Sequence, residues 1–77
     1  MNKFLIRIEY LKELQCDLQQ FRFTMAYVTG KYTIPMKNAV DKARKWIKIE
    51  VPKDKNPVDF YIAKLEKEIN SMYCVIN

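Results

Sequence analysis

KFLIRIEYLKELQCDLQQFRFTMAYVTGKYTIP, residues 3–35, carries apolar side chains at Phe4, Ile8, Leu11, Leu14, Leu18, Phe21, Met25 and Val28. Steps of three and four residues are the period of an α-helix that buries one stripe. Between them stand Glu9, Lys12, Glu13, Gln15, Asp17, Gln19 and Gln20, suited to the solvent face of a helix. Gly30 follows and can take the left-handed conformation that ends a helix. A helix over residues 3–29 would be about 40 Å long at 1.5 Å per residue, more than so small a globule needs. A break near Gln15–Gln20 is therefore expected. A second reading stays open at this point. Phe21, Phe23, Met25 and Tyr27 also alternate with period two, and Thr29-Gly30-Lys31 could turn a hairpin into Tyr32-Thr33-Ile34. An isolated hairpin is marginal in water, and the helical stripe runs through the same residues.

Downstream, Pro35 suits the first turn of a second helix, where its missing N–H has no partner. Met36, Val40, Ala43 and Ile47 give its stripe, with Lys48 at its end, and Ile49-Glu50-Val51-Pro52 reads as an extended exit. Lys53-Asp54-Lys55-Asn56 is a polar connector. A third helix is predicted over 57–76: Asn56 caps it, Pro57 takes its first position, and Asp59 sits where negative charge favours the helix dipole. Its stripe is Val58, Ile62, Leu65, Ile69, Met72 and Ile76. The expected fold is all-α, a single domain over residues 1–77 built as a small bundle of three to four amphipathic helices. The helices span about 3–29, 35–48 and 57–76.

Composition narrows the chemistry. The chain has 77 residues, 49% of them apolar and 30% charged, which is the balance of a globular domain and not of a disordered one. One glycine cannot build a phosphate-cradling loop. With no histidine, and Ser71 the single serine, Ser–His–Asp and Cys–His catalysis and nearly all zinc-ligand sets are excluded. The expectation is a protein that is not an enzyme, with no catalytic residues, no cofactor, no metal and no small-molecule substrate. Cys16 and Cys74 form no C-x-x-C pair and read as half-buried thiols in a reducing compartment. Arg7 and Glu9 interrupt the apolar start Phe4-Leu5-Ile6, and no apolar run approaches the roughly 20 residues of a membrane span. A soluble, cytoplasmic protein with no membrane partner is expected.

Charge is unevenly distributed. Residues 31–55 hold Lys31, Lys37, Lys42, Arg44, Lys45, Lys48, Lys53 and Lys55 against Asp41, Glu50 and Asp54, a balance of +5 that equals the net charge of the whole chain. At 100° per residue, Lys37, Arg44 and Lys48 fall on one flank of the middle helix and Lys42 and Lys45 on another. Trp46 lies between the apolar stripe and solvent. Cations beside an aromatic ring suit nucleic acid, because they neutralise phosphates while the ring stacks on a base. Lys42-Ala43-Arg44-Lys45 is equally what a solvated helix face looks like, and lysines late in a helix complement its dipole. A tryptophan beside an apolar stripe is also a common core residue. Of Tyr10, Tyr27, Tyr32, Tyr61 and Tyr73, most read as boundary residues with buried rings and wet hydroxyls. Tyr32, beside Lys31 and ahead of the basic helix, is a second stacking candidate.

Phe21-Arg22-Phe23-Thr24-Met25-Ala26-Tyr27-Val28, Tyr32-Thr33-Ile34-Pro35 and Lys42-Ala43-Arg44-Lys45-Trp46-Ile47 carry a further likeness. In these stretches, and in length and basicity, the chain resembles the short accessory proteins encoded beside the UvsW recombination helicase of T-even-type phages. The likeness covers about half the chain and contains no catalytic motif. It implies a phage protein in the host cytoplasm, connected with a helicase that remodels branched DNA in recombination and repair. It also implies a helical module similar to the HRDC type, although such modules have four or five helices and three stripes are counted here. No helicase motor motif is present, so the chain itself would not hydrolyse ATP.

The functional expectation is a non-enzymatic module that binds single-stranded or branched DNA as accessory to a helicase. Lys37, Lys42, Arg44, Lys45 and Lys48 would contact phosphates, with Lys31 and Lys53 at the margins and Trp46 or Tyr32 as a stacking surface. The alternative is a small protein-interaction module that docks on a helicase or another replication or host factor through an apolar patch, without touching DNA.

Overall fold

The computed structural model describes residues 3–76. The side chains of Phe4 and Ile76, expected at the ends of two stripes, lie outside the described set. Four helices follow in order, α1 (Lys3–Phe21), α2 (Met25–Thr29), α3 (Ile34–Ile47) and α4 (Pro57–Ile76), and the described residues contain no strand. The all-α expectation holds, and the hairpin alternative at residues 21–34 does not.

The long first stripe is broken at Arg22–Thr24, beyond the Gln15–Gln20 segment where a break was expected. Thr24 is the cause. Its backbone is extended (φ −102°, ψ 154°) and its hydroxyl accepts the Tyr27 N–H at 3.2 Å, capping α2. The same hydroxyl donates to the Phe21 carbonyl at 2.7 Å, and the Thr24 N–H reaches that carbonyl at 3.1 Å, satisfying the end of α1. Gly30 closes α2 at φ 74°, as the sequence indicated. The break overturns the continuity of the stripe. Ile8, Leu11, Leu14 and Leu18 are buried, whereas Met25 and Val28 are 73% and 72% exposed. In α2 it is Ala26 and Tyr27 that pack on the core.

α3 begins one residue before Pro35, because Thr33 caps it and leaves Pro35 within the first turn. It ends at Lys48, which takes the left-handed conformation (φ 61°) and donates its N–H to the Arg44 carbonyl at 2.7 Å. α4 starts as expected. Asn56 Oδ1 accepts the N–H groups of Val58 (2.9 Å) and Asp59 (3.4 Å), and also the Tyr32 hydroxyl (2.8 Å).

α1 and α4 run antiparallel: Arg22 meets Asp59, Gln15 Nε2 donates to the Ile62 carbonyl, and Arg7 shares a cleft with Glu68 and Met72. α3 lies parallel to α4, since Tyr32 meets Asn56 at one end and Trp46 meets Lys64, Lys67 and Glu68 further along. Segment 48–56 therefore returns along α3, roughly 20 Å for a 14-residue helix. The Tyr61 hydroxyl holds this segment by donating to the Ile49 carbonyl at 2.7 Å. Tyr61 is thus no boundary residue. Its side chain is fully buried in the core cluster, with the Phe60 ring edge-on at 5.3 Å, and its hydroxyl bonds to a backbone carbonyl. Cys16 and Cys74, expected half-buried, are both exposed free thiols.

Short α2 is held to the first turn of α4 by polar contacts. The Tyr27 hydroxyl donates to Asp59 Oδ2 at 2.5 Å. Arg22 Nε lies 2.9 Å from Asp59 Oδ1 as an ion pair off the line of a hydrogen bond. The bond to the Asp59 carboxylate, then desolvation, push the Tyr27 pKa above its ordinary 10.0, and desolvation raises those of Tyr32 and Tyr61. A phenol whose folded pKa is raised contributes stability that is fully present below the unfolded value and lost as pH rises through the folded one. The melting temperature should therefore drop as pH is taken above 10.0. Tyr27→Phe should drop less over the same interval, because one of the three linked ionisations is gone; equal drops would deny Tyr27 this part.

Candidate nucleic-acid interface

The sequence placed all the excess charge on the middle helix and its flanks. Folding redistributes it. Trp46, near the end of α3, is half-buried against the core, with the Tyr10 ring 5.5 Å away and the Arg7 guanidinium over the indole at 5.7 Å. Two clefts border it. One, of about 280 Å³, is lined by Trp46, Ile47, Ile49, Lys64, Lys67 and Glu68. The other, of about 390 Å³, is lined by Arg7, Lys45, Trp46, Lys48, Glu68 and Met72. Five cations thus line the two clefts that border one indole: Arg7 of α1, Lys45 of α3 and Lys48 at its C-terminal cap, and Lys64 and Lys67 of α4. Glu68 is the one acidic residue lining either cleft. None of the five forms an ion pair among the described residues.

Lys48 reaches this cluster because it leaves the helix. Helical geometry puts it on the flank of Lys37 and Arg44, away from Trp46, whereas the left-handed turn at Lys48 brings it round to Lys45. Glycine is the default residue for that conformation, and an L side chain there costs about 1–2 kcal/mol. A lysine held at such a position keeps a cation beside Trp46 at the expense of backbone strain.

The nine residues singled out in the sequence separate into groups. Lys45, Trp46 and Lys48 gather at the clefts just described. Lys31, Tyr32 and Lys37 line a third cleft of about 600 Å³ with Gly30, Asn56 and Pro57. There Tyr32 is half-buried and its hydroxyl is committed to Asn56, so the residue helps cap α4. Arg44 pairs with Asp41 at 2.7 Å, which offsets its charge. Lys42 and Lys53 are exposed and line none of the three clefts.

Arg7, Lys64 and Lys67 were not singled out. Their segments sum to near neutrality, so regional charge counting hides them. A signal did exist on α4, where Lys64 and Lys67 stand three residues apart on adjoining turns. Nothing local links them to Trp46, which comes to them through the return of segment 48–56. Lys64 also places its ammonium over the Phe60 ring, 5.4 Å from its centroid, a cation–π contact.

Among the described residues no helix is long and apolar enough to cross a membrane. Compared with protein-family models, curated proteins and solved structures, the chain has no match.

Proposed function

We propose that this protein is a non-enzymatic nucleic-acid-binding module that takes single-stranded or branched DNA on the surface around Trp46. The observation that carries this reading is the convergence of Arg7, Lys45, Lys48, Lys64 and Lys67 on one indole. The cations neutralise successive phosphates, and the exposed part of the half-buried indole, together with the Tyr10 ring beside it, meets an unstacked base. Duplex DNA keeps its bases stacked and paired, so the indole contributes most when the strand is single or forked. The contacts are to phosphates and to base faces, so binding tolerates sequence. The likeness to the UvsW-associated accessory proteins adds a role beside a recombination and repair helicase in a phage-infected cell.

The test is an anisotropy titration of the full chain against labelled single-stranded, forked and duplex DNA over a range of salt. Three to five neutralised phosphates on a single strand give a log–log salt slope of roughly −2 to −3.5. Lys48→Gly should raise the melting temperature by relieving the left-handed strain and at the same time weaken binding. Absence of binding at low salt, or Lys48→Gly binding as well as wild type, would overturn the reading.

A further inference from the structure

α2 and the residue ahead of its cap leave three large apolar side chains in solvent within six residues: Phe23 is 92% exposed, Met25 73% and Val28 72%. Met25 and Val28 stand one turn apart on the outer face of α2, while Ala26 and Tyr27 hold its inner face to the core. Phe23 precedes the Thr24 cap and could fold onto Val28 as a hydrophobic staple, yet its exposure shows that it does not. It instead borders a notch of about 420 Å³ with Gln19, Arg22 and Tyr27. Nothing in the fold requires these side chains to be apolar.

The charge around them is one-sided. From Leu18 to Val40 there is no Asp or Glu, and the ionisable cations are Arg22, Lys31 and Lys37. Asp59, the acid of α4 that meets this end, is already engaged by Arg22 and Tyr27, and Asp54 lines a separate cleft with Asp59 and Phe60. A second copy of this chain would bring like charges together. An acidic partner meets no such repulsion. The bundle offers no sheet edge among the described residues, so an extended peptide would find no ladder to join, whereas a helix satisfies its own backbone.

We infer that the α2 end is a docking surface for an acidic amphipathic helix of a partner protein. The helix seats its apolar residues on Phe23, Met25 and Val28 and in the notch beside Tyr27, with its carboxylates toward Lys31 and Lys37. Asp59, where α2 is anchored, and Glu68, beside Trp46, are nine residues apart on α4, about 14 Å. Docking therefore leaves the Trp46 surface open, and the inference does not depend on the DNA-binding reading.

The experiment titrates isotope-labelled full-length protein with two synthetic helical peptides that share a leucine face and differ in a glutamate or a lysine polar face. The glutamate peptide should bind at least tenfold more tightly, with amide shifts confined to residues 19–37. The double substitution Phe23→Ser and Val28→Ser should cost at least tenfold in affinity with an unchanged melting temperature, since both side chains are exposed. Equal binding of the two peptides, or shifts elsewhere, would overturn the inference. So would sedimentation of the free protein as a dimer that the double substitution dissolves, or binding to phosphatidylglycerol vesicles without binding to the peptide.

Discussion

Tyr61→Ala should lower stability by about 3–5 kcal/mol, the range for deleting a large aromatic ring from a packed core. Tyr61 is the largest fully buried side chain among the described residues, and it belongs to the core cluster that α1, α3 and α4 build together. Its hydroxyl also anchors segment 48–56 through the Ile49 carbonyl. A domain of 77 residues has a total stability of only about 4–11 kcal/mol, so the substitution removes a large share of it. The melting temperature should fall by at least about 12 °C, given about 4–8 °C per kcal/mol for domains of this size. Tyr61→Phe keeps the ring and loses only the bond to Ile49, which costs about 1 kcal/mol. Thermal melts of the two variants separate packing from hydrogen bonding. If alanine costs no more than phenylalanine, the ring is not the centre of the core.

Reversing Lys45, Lys64 and Lys67 to glutamate should weaken single-strand binding by at least roughly a hundredfold at physiological salt. Counterion release makes each phosphate contact worth about fourfold near 0.15 M salt, so losing three costs about fiftyfold. The three new negative charges repel the strand and carry the loss further. The comparison that matters is Lys42→Glu with Lys53→Glu, which also reduces the net charge but lies away from the two clefts at Trp46. That pair should cost only a few-fold. A general electrostatic attraction would instead make the loss follow the total charge change, wherever the reversals are placed. Thermal melts of both variants report whether the fold is kept, since Lys64 also rests over Phe60.

The choice of these lysines shows how far the sequence could go. Lys45, Trp46 and Lys48 were legible because they are neighbours in the chain. Arg7, Lys64 and Lys67 were not, because regional charge sums near zero concealed them and their link to Trp46 is tertiary. Tyr32 was legible as an aromatic beside a lysine, but the bond from its hydroxyl to Asn56 could not be read from residues 24 positions apart.

By itself, the sequence determined the helical class, the start of α4 at Asn56-Pro57, the stop at Gly30 and the buried stripes of α1 and α4; on α3 it found Met36 and Ala43, but Ala39 is buried where Val40 and Ile47 are half-buried. These follow from period, capping and backbone restriction, all set within a few residues along the chain. Two local events that periodicity does not record, and then the tertiary packing, decided the rest. Periodicity continues through Met25 and Val28, but a hydroxyl at Thr24 satisfies the end of one helix and the start of the next, so the chain turns there and leaves both side chains in solvent. Helical angles put Lys48 on the wrong flank, because one left-handed residue redirects everything at the end of α3. The grouping of five cations round Trp46 depends on how α1 and α4 pack, and packing pairs residues by distance in space, which no local pattern records.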